Sequence, residues 1–363
     1  MSRRLIAYAH ERGGPASRFR IEQLVPLLER AGWTVSLRTQ DPARPWDSPY
    51  RNGAVRWLHR RARTSLRHVR RMRDVREASA YDVVLLNRDL LGGRPGYEDE
   101  LFRRNPRVVF DFDDAIYLGR NEAHVAGICA RAGWVTAGNE TLADFARRHT
   151  DRVTVLPTVV DTDAYVVRRA HERAGPVRVG WLGSDRSIHE TLLPHLAMLA
   201  RLRDEIGFEL VIVTRPKPEV PAALGPWRWV EWSPDVETRI AELLDVGVMP
   251  LVDEPFQRGK CGLKLLQYMA AGLPAVASPV GINVQLLEGG RGSSAASEDE
   301  WRDALAALVR DPGLRATLGA AGRAFVEERY ALRSWFPVLE EILVRVAAEA
   351  PRARPAVRVT RGA

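Results

Sequence analysis

The sequence predicts an α/β protein with two doubly wound domains in tandem. Three observations predict it. The chain opens on a short apolar strand (5–9), a glycine turn (11–17), an apolar-periodic helix (18–31) and a second strand (33–37). A strand and glycine turn then begin afresh at Val177-Arg178-Val179-Gly180-Trp181-Leu182-Gly183-Ser184, as if the chain had started again. Finally, Val246 to Ser278 reads strand, glycine turn, helix, strand. A chain of 363 residues is long enough for two cores.

The composition is that of a soluble globular protein, with 45% hydrophobic and 28% charged residues. Two cysteines, Cys129 and Cys261, give neither a disulfide framework nor a metal-ligand cluster, which fits a reducing cytoplasm. The N-terminus lacks a signal-peptide core, and no clean apolar run of about 20 residues suggests a spanning helix. Net charge is +8 and pI near 9.9, a balance suited to nucleic acid, an anionic membrane or phosphorylated substrates. Much of the charge is local. Residues 56–76 are dense in arginine with no acid before Asp74, and Trp57, Leu58, Leu66, Val69 and Met72 form a partial apolar stripe. Two readings stand: a surface helix packed by that stripe, or a basic amphipathic helix lying on anionic lipid at the inner face of the membrane.

In the first domain, Gly13-Gly14 is either a plain strand-to-helix turn or a ligand loop at the sheet's carboxyl edge; the full dinucleotide fingerprint is absent. A Pro- and Arg-rich connection follows at 41–52. Strands at 81–87 and 108–114 end in Arg88-Asp89 and in Asp111, Asp113 and Asp114. Three acids this close suit a metal site, a general base or helix caps. Further strands lie at 133–139 and 153–157, and the pattern turns polar at 161–175, where a domain boundary is expected.

In the second domain, helices are expected at 191–202, 235–244, 297–309 and 335–348, and strands at 208–213 and 227–232. The central stretch is Gly259-Lys260-Cys261-Gly262-Leu263-Lys264-Leu265-Leu266-Gln267-Tyr268-Met269-Ala270-Ala271-Gly272. Its glycines open a helix whose start favours an anion. Lysine is scarce: among 54 basic residues only Lys217, Lys260 and Lys264 are lysines, and two stand at this helix start. A solvated helix face is the bland account; glycines, strand context and lysine scarcity together favour phosphate binding.

Residues 177–330, and above all Met269 to Gly281, resemble the C-terminal domain of glycosyltransferase family 4. The first half is similar to a bacterial subgroup of that family at residues 15–20, 111–117, 138–140 and 156–161. The resemblance implies a GT-B fold: two Rossmann-like domains with a cleft between them, at 1–165 (acceptor) and 176–332 (donor), then a helix at 333–350 packing back on the first domain and a disordered tail at 351–363. It also implies a retaining hexosyltransferase that uses a nucleotide-diphosphate sugar as co-substrate, no metal and no other cofactor. The acceptor stays open: glycan, lipid-linked or small metabolite. The family's arginine and lysine after the first strand of the second domain fall on Trp181 and Arg186, its two glutamates on Gly259 and Gln267, and its first-domain histidine near Asp113. The implied catalytic set is Arg186, Lys260, Lys264 and Asp113. Gly13, Gly14, Gly183, Ser184, Gly262, Leu263 and Gln267 would hold the donor, and Arg18, Asp114 and Asn139 the acceptor. Two other classes were weighed. A GT-B nucleotide-sugar epimerase needs paired carboxylates and histidines, for which His10-Glu11 is the one pair beside a glycine loop; a nucleic-acid binder needs aromatics interleaved with the basic stretch, where Trp57 stands alone.

Overall fold

The computed structural model describes residues 2–40, 49–50, 52–91 and 96–349. The expected tail at 351–363 and most of the expected connection at 41–52 lie outside them. The chain divides into two compact units, one of residues up to Pro157 together with those from Phe336, the other Thr158–Trp335.

The first unit is a parallel sheet of β1 (Arg3–Glu11), β2 (Trp33–Gln40), β3 (Val83–Asn87), β4 (Val108–Phe112), β5 (Trp134–Ala137) and β6 (Val153–Val155), in the order β2-β1-β3-β4-β5-β6. Leu5 pairs with Val35 on one side and Val83 on the other. The central strands are buried on both faces, so they read as unbroken apolar runs such as Val83-Val84-Leu85-Leu86. The order reverses between β1 and β3, and the crevice at their carboxyl ends is where open α/β sheets bind ligands.

The helix expected at 18–31 is broken into Pro15–Arg20, a single turn Glu22–Leu24 and Val25–Arg30. Ile21 leaves helical geometry (φ −135°), and Pro26 re-opens the last piece at its first turn, where a missing N–H costs nothing. The arginine-dense stretch is one helix, Gly53–Glu77, capped by Asn52, whose Oδ1 accepts from the Ala54 and Val55 amides at 3.0 and 3.3 Å. It is not packed by the stripe expected to pack it. Trp57, Leu58, Leu66 and Val69 are exposed, while Arg71, Asp74 and Val75 are buried. Tyr8 of β1 fixes this face: its hydroxyl donates to the Asp74 carbonyl at 2.6 Å, with the Arg71 guanidinium 5.6 Å from its ring centre. The C-terminal helix runs Leu332–Ala348. Its later part packs in the first unit: Val346 lies against Gly133, and Trp33 Nε1 donates to Glu340 at 3.4 Å.

The second unit repeats the plan with β7 (Arg178–Leu182), β8 (Glu209–Thr214), β9 (Arg228–Glu231), β10 (Val246–Met249), β11 (Ala275–Ala277) and β12 (Ser293–Ser294), in the order β12-β11-β10-β7-β8-β9. Val179, Trp181, Leu210, Ile212, Val248, Trp301 and Leu305 lie in its core. The switch point falls between β7 and β10. The helix expected at 191–202 begins later, at Leu196–Ile206. Pro194 lacks the N–H and crowds the carbonyl four residues back, so the chain before it runs through a π turn, Ile188–Leu192, and a tight turn, Leu193–His195. The expected helix at 235–244 is two short ones, Pro234–Thr238 and Ile240–Leu243. A long helix, Pro312–Arg329, carries no expectation from the sequence. No helix among the described residues is long and apolar enough to cross a membrane.

Candidate active site

The switch point of the second unit is built by three segments. The first is the turn after β7. Gly183 is required there by close packing: an added Cβ would lie 2.3 Å from Trp181 Cη2 and 2.9 Å from Lys264 Cε. Ser184 caps the next turn, its Oγ accepting from the Ser187 amide at 3.3 Å. The second segment runs from β10 through Pro255–Arg258 to Gly259 and Lys260. The third is the helix Leu263–Ala270, entered through Gly262 in the left-handed region at φ 67° and with no side chain capping it. Leu265, Leu266, Tyr268 and Met269 bury one side of this helix. Tyr268 locks it to both strands: its hydroxyl accepts from the Leu182 amide at 2.9 Å and reaches the Val248 carbonyl at 3.3 Å. Burial pushes the Tyr268 hydroxyl well above the ordinary tyrosine range, so it stays a neutral clamp.

The three cations expected at this site come onto one stretch, residues 184–190. Lys264 Nζ donates to Ser187 Oγ at 2.8 Å and lies 5.1 Å from the Trp181 ring centre. Its side chain thus turns toward β7 rather than away from the site. Lys260 Nζ is 3.7 Å from Glu190 Oε2 and 5.2 Å from the Phe256 ring centre. Arg186 Nε donates to the same Glu190 carboxylate at 2.8 Å from an exposed position. Sequence reasoning missed Glu190, which gathers two of the cations; its (i, i+4) spacing from Arg186 was the signal that could have found it. Leu263 is half-buried at the helix start, and Gln267 is buried further along it. Together these groups make an electropositive sheet edge with helix-start amides, an arrangement that can hold a phosphate or diphosphate.

In the first unit the expected residues gather along the carboxyl edge of β1, β3, β4 and β5. Gly13 has φ 76° and its amide donates to Glu22 Oε1 at 2.8 Å. Gly14 opens Pro15–Arg20, and Arg18 lies over the Phe19 ring at 4.9 Å. His10 pairs with Asp89 at 3.4 Å. Asp111 is an anchor inside the fold: it accepts from Arg20 Nε at 3.0 Å, Asn87 Nδ2 at 2.9 Å and Thr136 Oγ1 at 2.7 Å. Asp113 and Asp114 both face Arg88, whose Nε and Nη2 donate to them at 2.9 and 2.5 Å. Burial opposes ionisation of Asp113, but the Arg88 and Arg20 guanidinium groups outweigh it and hold its carboxyl below the usual aspartate range. A carboxylate held this way is a weak proton acceptor. Arg88 itself has φ 61°, unusual for a residue with a side chain, and no role was expected of it. Asn139 caps Glu140–Arg147, its Oδ1 accepting from the Leu142 amide at 3.0 Å. Among the described residues no group of three or more His, Cys, Asp or Glu side chains is placed to hold a metal ion.

Residues 177–311 match the family model described as glycosyl transferases group 1. No curated protein matches the sequence. Among solved structures, the chain is similar to sucrose-phosphate synthase from Thermosynechococcus elongatus, at 17% identity and TM-score 0.72, covering 96% of this chain and 100% of that one. It is similar to HepE from Anabaena in complex with UDP and glucose, at 14% identity and TM-score 0.69, covering 94% and 100%. A glycosyltransferase from Rickettsia africae aligns at 12% identity and TM-score 0.66, covering 96% and 100%. Two parallel six-stranded sheets with this strand order and these neighbours establish the GT-B fold. The match at residues 177–311 and the fold together support a glycosyltransferase.

Proposed function

We propose that this protein is a retaining, metal-independent glycosyltransferase of the family 4 type, acting in the cytoplasm and taking its sugar from a nucleotide-diphosphate donor. The observation that carries the reading is the convergence of Lys260, Lys264 and Arg186 on the carboxyl edge of β7 and β10, beside the uncapped start of Leu263–Ala270. The bond that breaks joins the anomeric carbon to the diphosphate oxygen, and the electron pair leaves with the nucleoside diphosphate. Preorganised cations and amides aimed at that oxygen lower the barrier because the charge grows as the bond breaks. In this reading Lys260 and Lys264 neutralise the departing diphosphate. Arg186 is an exposed third cation. The amides of Gly262 and Leu263 cradle the phosphates, with Gly183 and Ser184 lining the opposite wall of the same edge. Trp181 stands where the family's first cation would, and Lys264 extends over its ring. HepE, solved with UDP-glucose, offers a precedent for the donor class on this fold.

The test is a screen of nucleotide-diphosphate sugars that measures released nucleoside diphosphate, with and without a panel of acceptors. One donor is expected to release its nucleotide, with the anomeric configuration kept in the product. Release from none of the common donors, an inverted product, or isomerised free donor as the sole outcome overturns the reading.

A further inference from the structure

The helix Gly53–Glu77 has a covered face and an apolar stripe that is left uncovered. The covered face runs along Thr64, His68, Arg71 and Val75. Val55, Leu58, Ala62, Leu66 and Val69 recur at steps of three and four residues and are all exposed, Leu58 at 63% and Val69 at 66%. At 3.6 residues per turn the covered face and the stripe lie roughly half a turn apart. Five of the ten large apolar side chains that are exposed among the described residues sit on this one helix: Val55, Trp57, Leu58, Leu66 and Val69. Single exposed apolar residues need no explanation, but an aligned row of them does.

The charge pattern selects what covers the row. From Gly53 to Arg73 there is no acidic residue, and Arg56, Arg60, Arg61, Arg70 and Arg73 are exposed around the stripe. Trp57, exposed beside it, has the Arg61 guanidinium 4.9 Å from its ring centre. A second copy of the same helix would bring arginine against arginine with no acid to match. A nucleic acid would use the arginines and leave the apolar row in water. An anionic bilayer answers both: apolar side chains enter the headgroup boundary while long arginine stems reach back to the lipid phosphates.

We propose that Gly53–Glu77 docks the protein on an anionic lipid surface, with Val55, Leu58, Ala62, Leu66 and Val69 inserted and the flanking arginines on the headgroups. The face pinned by Tyr8 stays on the sheet, so docking needs no unfolding. This surface is independent of the chemistry assigned to the second unit.

The experiment is co-sedimentation of the full chain with vesicles of phosphatidylglycerol and phosphatidylcholine in equal parts, against phosphatidylcholine alone. Three proteins are compared: wild type, Leu58→Ser with Val69→Ser, and Arg61→Gln with Arg70→Gln. The changed side chains are exposed, so melting temperatures should agree. Wild type should bind the anionic vesicles at about 0.05 M salt and release at about 0.5 M. Each double variant should lose about tenfold or more in vesicle affinity. Binding that survives the serine changes means that no stripe inserts and overturns the proposal. So does equal binding to neutral vesicles, a lipid-free dimer abolished by the serine changes, or preference for duplex DNA over vesicles.

Discussion

The lysine pair is where composition alone pointed at chemistry, because lysine is rare in this chain and two of three fall at one helix start. Lys260→Ala and Lys264→Ala should each slow turnover by about 30- to 1,000-fold, the cost of a charge-assisted contact used mainly in the transition state. Lys217→Ala is the control; Lys217, in the loop after β8, lies 5.9 Å from both the Trp227 and Trp229 ring centres. Equal turnover in all three variants would remove the site. Glu190 stands four residues after Arg186, a pairing visible in the spacing, but its approach to Lys260 comes only from the fold. As the anion those cations face in the free protein, it competes with an incoming diphosphate. Glu190→Gln should therefore tighten nucleoside diphosphate binding by about two- to fivefold, measured by calorimetry, as expected for a partly exposed ion pair. A fourth residue reports on the fold instead. Glu98 is fully buried; its Oε1 accepts from the Leu90 amide at 2.6 Å, and Oε2 has no hydrogen-bond partner. Burial raises its carboxyl from 4.5 to about 7. A raised carboxyl favours the folded state while protonated, so this contribution is whole below about pH 4.5 and is lost as pH rises through about 7. Glu98→Gln keeps the bond to Leu90 without the charge. It should raise the melting temperature at pH 8 and change little at pH 4, and the reverse order would refute the assignment.

Helices and turns were legible where periodicity was one-sided and illegible where a backbone condition intervened. The helix expected at 18–31 breaks at Ile21 and resumes at Val25-Pro26, and the one expected at 191–202 is delayed by Pro194. The basic helix was legible as a helix, but its packing face was not. It packs through Arg71, Asp74 and Val75, two of them charged, and leaves the more apolar stripe in solvent. Pro312–Arg329 went unseen because glycines at two of its buried positions, Gly319 and Gly322, interrupt the apolar pattern; a Cβ on Gly319 would lie 2.2 Å from the Gly272 carbonyl oxygen. Gly262 is the element-scale counterpart of the lysines. It holds φ 67°, and a Cβ there would come within 2.4 Å of Leu286 Cδ1. Gly262→Ala combines left-handed strain with crowding and should destabilise by about 1–3 kcal/mol in chemical denaturation. The lysine variants, by contrast, should stay within about 0.5 kcal/mol of wild type. A Gly262→Ala protein as stable as wild type would mean the helix start is looser than drawn.

At the scale of the molecule, the tandem sheets were legible because parallel strands buried on both faces leave unbroken apolar runs, and the runs stop and restart. The edge chemistry was legible only in part. Residue type placed lysines and aspartates at strand ends but did not say which of them the fold itself consumes. The aspartates bear on the proposal that no metal is used. Asp111 is engaged by Arg20, Asn87 and Thr136, and Asp113 and Asp114 both face Arg88. A divalent ion on these carboxylates would have to displace guanidinium groups already paired with them. The cations at the second unit's edge supply positive charge of the kind a metal would bring to a departing diphosphate. Turnover should therefore survive exhaustive chelation, and added magnesium or manganese should change it by less than about twofold, well under the several kcal/mol a Lewis acid contributes. Abolition by chelator with recovery on adding the metal would reassign Asp113 and Asp114 as ligands. It would also require Arg88 to move, and Arg88→Ala would then raise metal affinity. If instead the cations carry the charge, Arg88→Ala leaves the chelation result unchanged.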